Sequence, residues 1–348
     1  MYLHALATAV PPTALTQPDC WQLISRSSSR DRLSERSLVM LEAVLSGDSG
    51  IGHRHFAAPN IETVFDYTPD QLNALFREAA PALAGRALAA ALAKAGLRPD
   101  QLDALLICTC TGYLCPGVTS YVAEQLGLRP NAFLQDIVGL GCGAAVPTLR
   151  AANAVLAAQP DATVACVAVE ICSAAFYLDD DPGVLISACL FGDGAAASIW
   201  KSTPAKNSRS VRCHGFNTLH RPADRDKLRF ETRDGKLRNL LHKTVPALAA
   251  DAVSHLLAAE PYGSTPIARI IAHPGGREVI KAIEATLPAY PLDATRRVLR
   301  DCGNMSSPSV LFALQEALRD GPPEKDRDWW LVSFGAGFSA HGCRIGSA

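Results

Sequence analysis

Residues 86–112 read RALAAALAKAGLRPDQLDALLICTCTG. An alanine-rich run of helix formers (80–96) ends at Gly96, a polar break follows, and an apolar strand over 102–112 runs into a loop with thiol and hydroxyl groups. Residues 245–276, VPALAADAVSHLLAAEPYGSTPIARIIAHPGG, repeat the layout of helix, polar break, strand and loop. FGDGAAASIW (191–200) is echoed by FGAGFSAHGCRI (334–345), sharing F-G-x-G ahead of an apolar strand. Such self-similarity predicts a layered α/β body made of two related halves, 1–205 and 206–348, joined near STPAKNSRS (202–210). The alternative is chance likeness between alanine-rich helices. Between these copies, AVPTLRAANAVLAA (145–158) reads as a small-residue helix buried in the middle of the body, and DATVACVAVEIC (161–172) as a buried strand.

Composition narrows the function. Of 348 residues, 48% are hydrophobic and 19% charged, which suits a large buried core or an oligomer and excludes disorder. Lys plus Arg (33) balances Asp plus Glu (34), and no basic-aromatic cluster occurs, so nucleic acid is a poor partner. No apolar run nears the roughly 18 residues of a membrane span, and the start MYLHALATAVPP lacks a basic region before an apolar stretch. These features predict a soluble cytoplasmic protein. The eleven cysteines are odd in number and sit mostly in apolar runs, so they read as reduced thiols.

One cysteine stands apart. Cys142, in DIVGLGCGAAVPTL, is framed by glycines just before a helix whose start is placed at 142–144 by Pro147. Glycines let the backbone turn sharply, and a helix N-terminus lowers a thiol's pKa toward thiolate. Gly139-x-Gly141-x-x-Ala144 also fits a loose dinucleotide fingerprint, but it lies far from the N-terminus and no acid follows at the right spacing. Zinc is a poor reading of Cys108, Cys110 and Cys115, because no second Cys pair or histidine completes four ligands. His273 leaves a buried strand into Pro274-Gly275-Gly276, and Asn304 sits in CGNMSSPSV ahead of a helix. A framed cysteine with a histidine and an asparagine elsewhere in the chain suits acyl transfer. The thiol takes the acyl group, and N–H donors meet the oxyanion.

GLGCGAA, LFGDGAAA, IIAHPGG and GNMSSPSV, in this order, closely resemble the type III polyketide synthases, the chalcone synthase-like branch of the thiolase superfamily. The resemblance covers nearly the whole chain from about residue 80. It implies a thiolase-like, duplicated five-layer α-β-α-β-α fold and a homodimer. The substrates would be malonyl-CoA and an acyl-CoA starter, with no separate cofactor and no metal. By the same resemblance Cys142 holds the chain as a thioester, and His273 and Asn304 bind the malonyl thioester carbonyl. Phe191 is then the gatekeeper aromatic, and Cys115 reaches across a dimer interface into the partner's cavity. Ketoacyl synthase III, with one condensation, and a non-catalytic thiolase-fold partner are the rival readings.

Departures from the plant pattern cluster where substrate would bind. Cys110 and Thr111 follow the first strand, Cys172 and Ala175 stand where threonines are usual, and Ser187 replaces a glycine. Ser306 follows Asn304 closely and joins this set. The loop 234–246 is shorter and yields no second gatekeeper phenylalanine, and SFGAG (333–337) replaces GFGPG. Basic residues for coenzyme A are reduced, with Arg54 the best candidate left. Small apolar replacements predict a deep, greasy pocket and a fatty acyl starter.

Overall fold

The computed structural model describes residues 1–205, 210–260 and 265–347. The expected join at 202–210 and the break before the second strand therefore fall partly outside the described residues. Nine strands form one sheet in the order Ile267–Ala272, Asp328–Gly335, Ser339–Ser347, Val211–His220, Tyr2–Ala9, Gly194–Lys201, Val164–Glu170, Ala104–Cys108, Phe133–Ile137. The same succession runs outward from the centre in both directions. Tyr2–Ala9 pairs antiparallel with Gly194–Lys201, that strand antiparallel with Val164–Glu170, and that one parallel with Ala104–Cys108. On the other side Val211–His220, Ser339–Ser347, Asp328–Gly335 and Ile267–Ala272 repeat antiparallel, antiparallel, parallel. The two runs join at Tyr2–Arg212 and Leu3–Val211. The repeat heard in the sequence is thus a repeat of topology.

Alternation along the strands sorts the layers, since neighbouring side chains point to opposite faces. Val164, Cys166 and Ala168 pack with helices Ala145–Ala158 and Ser309–Arg319, whereas Ala165, Val167 and Val169 pack with helix Pro69–Ala95. In the other half Trp329 and Leu331 face the same two helices, and Trp330 and Val332 face Val245–Ala258 and Arg277–Thr286. The order is helix, one run of the sheet, helix, the other run of the sheet, helix.

Two local expectations need correction. The helix ending at Gly96 begins at Pro69, eleven residues before the alanine-rich run, because Thr68 and Gln71 form a capping box with proline in the first turn. It continues through the buried Pro81. Helix Ala145–Ala158 does occupy the central layer, but it is not buried all round: Arg150, Ala154 and Ala157 are exposed.

Candidate active site

The two central helices place the site. Cys142 lies in a 3-10 turn, Gly141–Gly143, directly before helix Ala145–Ala158, and Asn304 lies five residues before helix Ser309–Arg319. Ser306 joins them. Its hydroxyl is 3.2 Å from Cys142 Sγ, and its backbone N–H donates to Asn304 Oδ1 at 2.8 Å. Ser306 has φ +60, a left-handed conformation costly for a residue with a side chain, and such strain gathers at functional sites.

Asn304 is tied on two further sides. Its Nδ2 faces the carbonyl of Gly275 at 3.5 Å, and its backbone bridges Phe191, with Asn304 N–H donating to Leu190 and Gly192 N–H to Asn304. His273, two residues before Gly275, is buried and fixed by its N–H to Val332 O at 2.9 Å and by its ring lying edge-on to Phe334 at 5.3 Å. Its Nδ1 is buried without a hydrogen-bond partner, which is uncommon enough to ask for a function.

The glycines before Cys142 turn the backbone as read in the sequence, Gly139 with φ +89 and Gly141 with φ +54, and a close approach adds a second reason. A Cβ on Gly335 would meet Gly143 N at 2.5 Å and Leu140 O at 2.7 Å. The close approach is backbone against backbone, between the Cys142 turn and the 333–337 loop. Ser333 locks it by donating to Gly143 O at 2.8 Å.

Burial governs the charges. Desolvation pushes the Cys142 thiol up to about 12, opposed by the Ser306 hydroxyl and reinforced by Glu170. This overturns the expectation that the helix start holds a ready thiolate. Burial likewise pulls His273 down to about 3. The resting pair is thiol and neutral imidazole. Cys110 and Cys172 are also pushed well up by burial, so acidity does not single out Cys142; it differs from both in combining a contact with Ser306 and a place in the cavity.

That cavity, about 40 Å³, is lined by Cys142, Phe191 and Ser306 together with Thr111, Cys172, Ala175 and Ser187. Residues of hairpin 228–241, including Phe230 and Asn239, and Ala336 of the 333–337 loop complete it. Not every hydroxyl there is free: Thr111 is bonded to Glu170 and Ser187 to Gly183 O. Cys110 is not among the lining residues but touches Ser306 Oγ at 3.3 Å. Cys115 is exposed and lines no part of this cavity.

Sequence reasoning missed Glu170. This wholly buried carboxyl group takes N–H bonds from Cys110 and Thr111 and hydroxyl bonds from Thr109, Thr111, Ser306 and Ser307. It fastens the first strand's loop to the Asn304 loop beneath the cavity. The signal was a lone acid ending an otherwise apolar strand. Arg54 is the clearest correction. It is 1% exposed, and its guanidinium donates to Gln17 Oε1 and to the carbonyls of Ala188 and Phe191. It holds the Phe191 turn from behind and cannot meet a coenzyme phosphate. Arg229 lines the reaction cavity itself, and Lys243 and Arg277, the latter paired with Asp48 and Glu278, edge a second cavity of about 420 Å³ whose lining includes Leu190, Gly275 and Gly276.

Residues 11–258 match the family described as FAE1/Type III polyketide synthase-like protein, and 222–347 match the C-terminal domain of chalcone and stilbene synthases. The chain belongs to the type III polyketide synthases. It is accordingly an acyltransferase of iterative condensation, in a family that uses CoA thioesters. The 1,3,6,8-tetrahydroxynaphthalene synthase of Streptomyces peucetius subsp. caesius is 28% identical over 361 residues, covering 97% of this chain and 90% of that one. The 3,5-dihydroxyphenylacetyl-CoA synthase of Streptomyces toyocaensis is 30% identical, covering 73% and 68%. Among solved structures, the 1,3,6,8-tetrahydroxynaphthalene synthase of Streptomyces coelicolor A3(2) superposes with a TM-score of 0.86 at 24% identity, covering 100% and 99%. PKS-I of the brown alga Ectocarpus siliculosus gives 0.89 at 23%, covering 99% and 98%. The layered fold of this type III polyketide synthase is the one seen in those structures. Among the described residues no helix is long and apolar enough to cross a membrane.

Proposed function

We propose that Cys142 carries the starter and the growing chain as a thioester, with His273 and Asn304 holding the thioester carbonyl of malonyl-CoA. Phe191 gives the malonyl carboxylate an apolar wall. The observation that carries this reading is Ser306, whose hydroxyl sits on the Cys142 sulfur while its amide fixes the Asn304 side chain.

In the loading step Cys142 Sγ attacks the acyl-CoA carbonyl and the bond to the coenzyme sulfur breaks. The thiol proton passes by way of the neutral imidazole of His273 to the leaving thiolate. Malonyl-CoA then loses CO2. The electron pair left behind becomes an enolate, whose oxygen is met by the N–H donors of His273 and Asn304. The enolate carbon attacks the Cys142 thioester and Cys142 departs as thiolate, giving a β-ketoacyl-CoA two carbons longer. Reloading that product onto Cys142 repeats the cycle until the chain closes to a pyrone, resorcinol or related ring. The 420 Å³ cavity edged by Lys243 and Arg277 supplies cations and length for the coenzyme arm.

The starter in this reading is short, which revises the fatty acyl expectation. The lining is apolar as expected. Yet at about 40 Å³ the cavity is about a tenth the size of the neighbouring 420 Å³ one, which favours an acyl group of a few carbons. Purified protein with malonyl-CoA and a panel of short, aromatic and long-chain acyl-CoAs, read by mass spectrometry, is expected to give triketides or longer from the shortest starters. A single-condensation product would favour the ketoacyl synthase chemistry, and best turnover on long chains would refute the short starter.

The proposal extends to a cytoplasmic homodimer of chains built from the halves 1–205 and 206–348. Phe133–Ile137 is an edge strand with Phe133 52% and Val138 53% exposed beside it, an apolar edge that a second copy would cover. Cys115, exposed in one chain, would then reach the partner's cavity. Light scattering at micromolar concentration should read twice the chain mass; a monomer would remove this part of the reading.

A further inference from the structure

Behind the reaction cavity lies a second chamber of about 20 Å³, bounded by Cys20, Leu23 and Ile24 of helix Gln17–Arg26 and by Phe56, Ile61 and Phe65. Phe176 and Ala188 line both spaces, so these two side chains are the partition between them. Ala188 contributes only a methyl group. The Phe176 ring therefore provides most of the wall, and it is held there by two neighbours: it stacks on Phe65 at 5.3 Å and meets Phe56 edge-on at 5.8 Å. Beyond it the surfaces are apolar apart from Arg54 and Glu62. Arg54 is spoken for by Gln17 and two backbone carbonyls, and Glu62 sits at the partly exposed end of the chamber.

We infer that Phe176 sets the acyl chain length this synthase accepts, by closing the reaction cavity against an apolar chamber able to take the distal methylenes of a longer alkyl chain. The inference rests on the proposed loading of an acyl starter onto Cys142 beside this wall. With the ring in place, the acyl group on Cys142 ends at Phe176. With the ring removed, the 40 Å³ and 20 Å³ spaces and the volume of the ring itself become one channel running toward Glu62. Each methylene that enters this channel leaves water for an apolar wall, a gain worth about fourfold in kcat/KM.

The experiment compares wild type, Phe176→Ala and the double variant Phe176→Ala/Ala188→Phe on a series of straight-chain acyl-CoAs with malonyl-CoA. Phe176→Ala should move the preferred starter several carbons longer, raising kcat/KM on the longer chains while that on the shortest starter falls or holds. The double variant places a ring back in the partition from the other side and should return the preference to short chains. Thermal unfolding and the rate of malonyl-CoA decarboxylation show in each case that the fold and the remainder of the site survive. An unchanged length preference in a folded, decarboxylating Phe176→Ala enzyme would overturn the inference. If that variant fails to fold, Phe176→Leu, which keeps an apolar side chain but no ring, takes its place, and it should extend the preferred chain by a smaller step; no extension would count against the gate. Failure of the loading reading itself looks different, because wild type would then condense no starter at all.

Discussion

Cys142→Ala is expected to stop chain extension, by about 10³-fold or more, while malonyl-CoA is still decarboxylated to acetyl-CoA. Removing a nucleophile removes every step that passes through its covalent intermediate. Decarboxylation does not pass through it. That step needs the donors of His273 and Asn304 and the apolar Phe191 side chain, and none of these is held by the Cys142 sulfur. The substitution is also small: Cβ stays, and Ser306 Oγ loses one of its contacts but keeps Glu170 Oε1 at 3.3 Å. The variant should therefore fold. Product analysis with a starter and malonyl-CoA separates the two activities. Extension at the parent rate would refute the nucleophile assignment, and loss of both activities in a folded variant would refute the division of labour.

The second large effect falls on the enolate. Asn304→Asp should lower malonyl-CoA decarboxylation by about 10²-fold or more, the usual cost of losing one oxyanion donor. The change is nearly isosteric. Oδ1 can still accept from Ser306 N–H, so the strained turn at Ser306 keeps its anchor. What changes is the other end, where an N–H donor becomes an oxygen facing a developing negative charge. His273 should add no acid limb near its ordinary pKa. Burial holds its folded value at about 3, so the imidazole is neutral from about pH 4 upward and can still accept the Cys142 thiol proton as pH falls through 6.5. The pH profile of starter loading by wild type tests this directly: loading lost with a midpoint near 6.5, with that limb absent in His273→Gln, would contradict the neutral imidazole. For Asn304→Asp, stopped assays of acetyl-CoA release at neutral pH suffice, with circular dichroism as the check on folding. A rate within threefold of wild type would remove Asn304 from the oxyanion site.

Much of this was legible in the sequence, for identifiable reasons. The repeated layout of 86–112 and 245–276 was readable because buried parallel strands leave long apolar runs, and the structure repeats their pairing. Cys142 was readable because glycines and Pro147 pin a turn to one place in the chain. The close approach of Gly143 to Gly335 was not, since Gly335 lies 192 residues further on. Arg54 misled because a basic residue looks exposed in one dimension, and only the fold brings Gln17 and two carbonyls around it. Glu170 was overlooked for the converse reason: its partners come from two loops far from it in the chain. The helix start at Pro69 was in plain view as Thr68-Pro-x-Gln71, a capping box outside the alanine-rich run. The thiolate expectation failed because burial, which local sequence does not report, pushes the thiol up. Pocket size belongs to the same class. Cys172 and Ala175 do line the cavity, and Phe176 beside them lines both it and the chamber behind it.

The central claim is that one sulfur, that of Cys142, carries the chain. Wild-type protein mixed with a short acyl-CoA and malonyl-CoA, quenched in acid within the first turnovers and digested, gives the test by peptide mass spectrometry. The account predicts an acyl thioester on the peptide bearing Cys142, followed by adducts heavier by successive acetate-derived units, all released by hydroxylamine. A thioester on Cys110 or Cys172 in its place, or product formed with no adduct on Cys142 at any time, would contradict it.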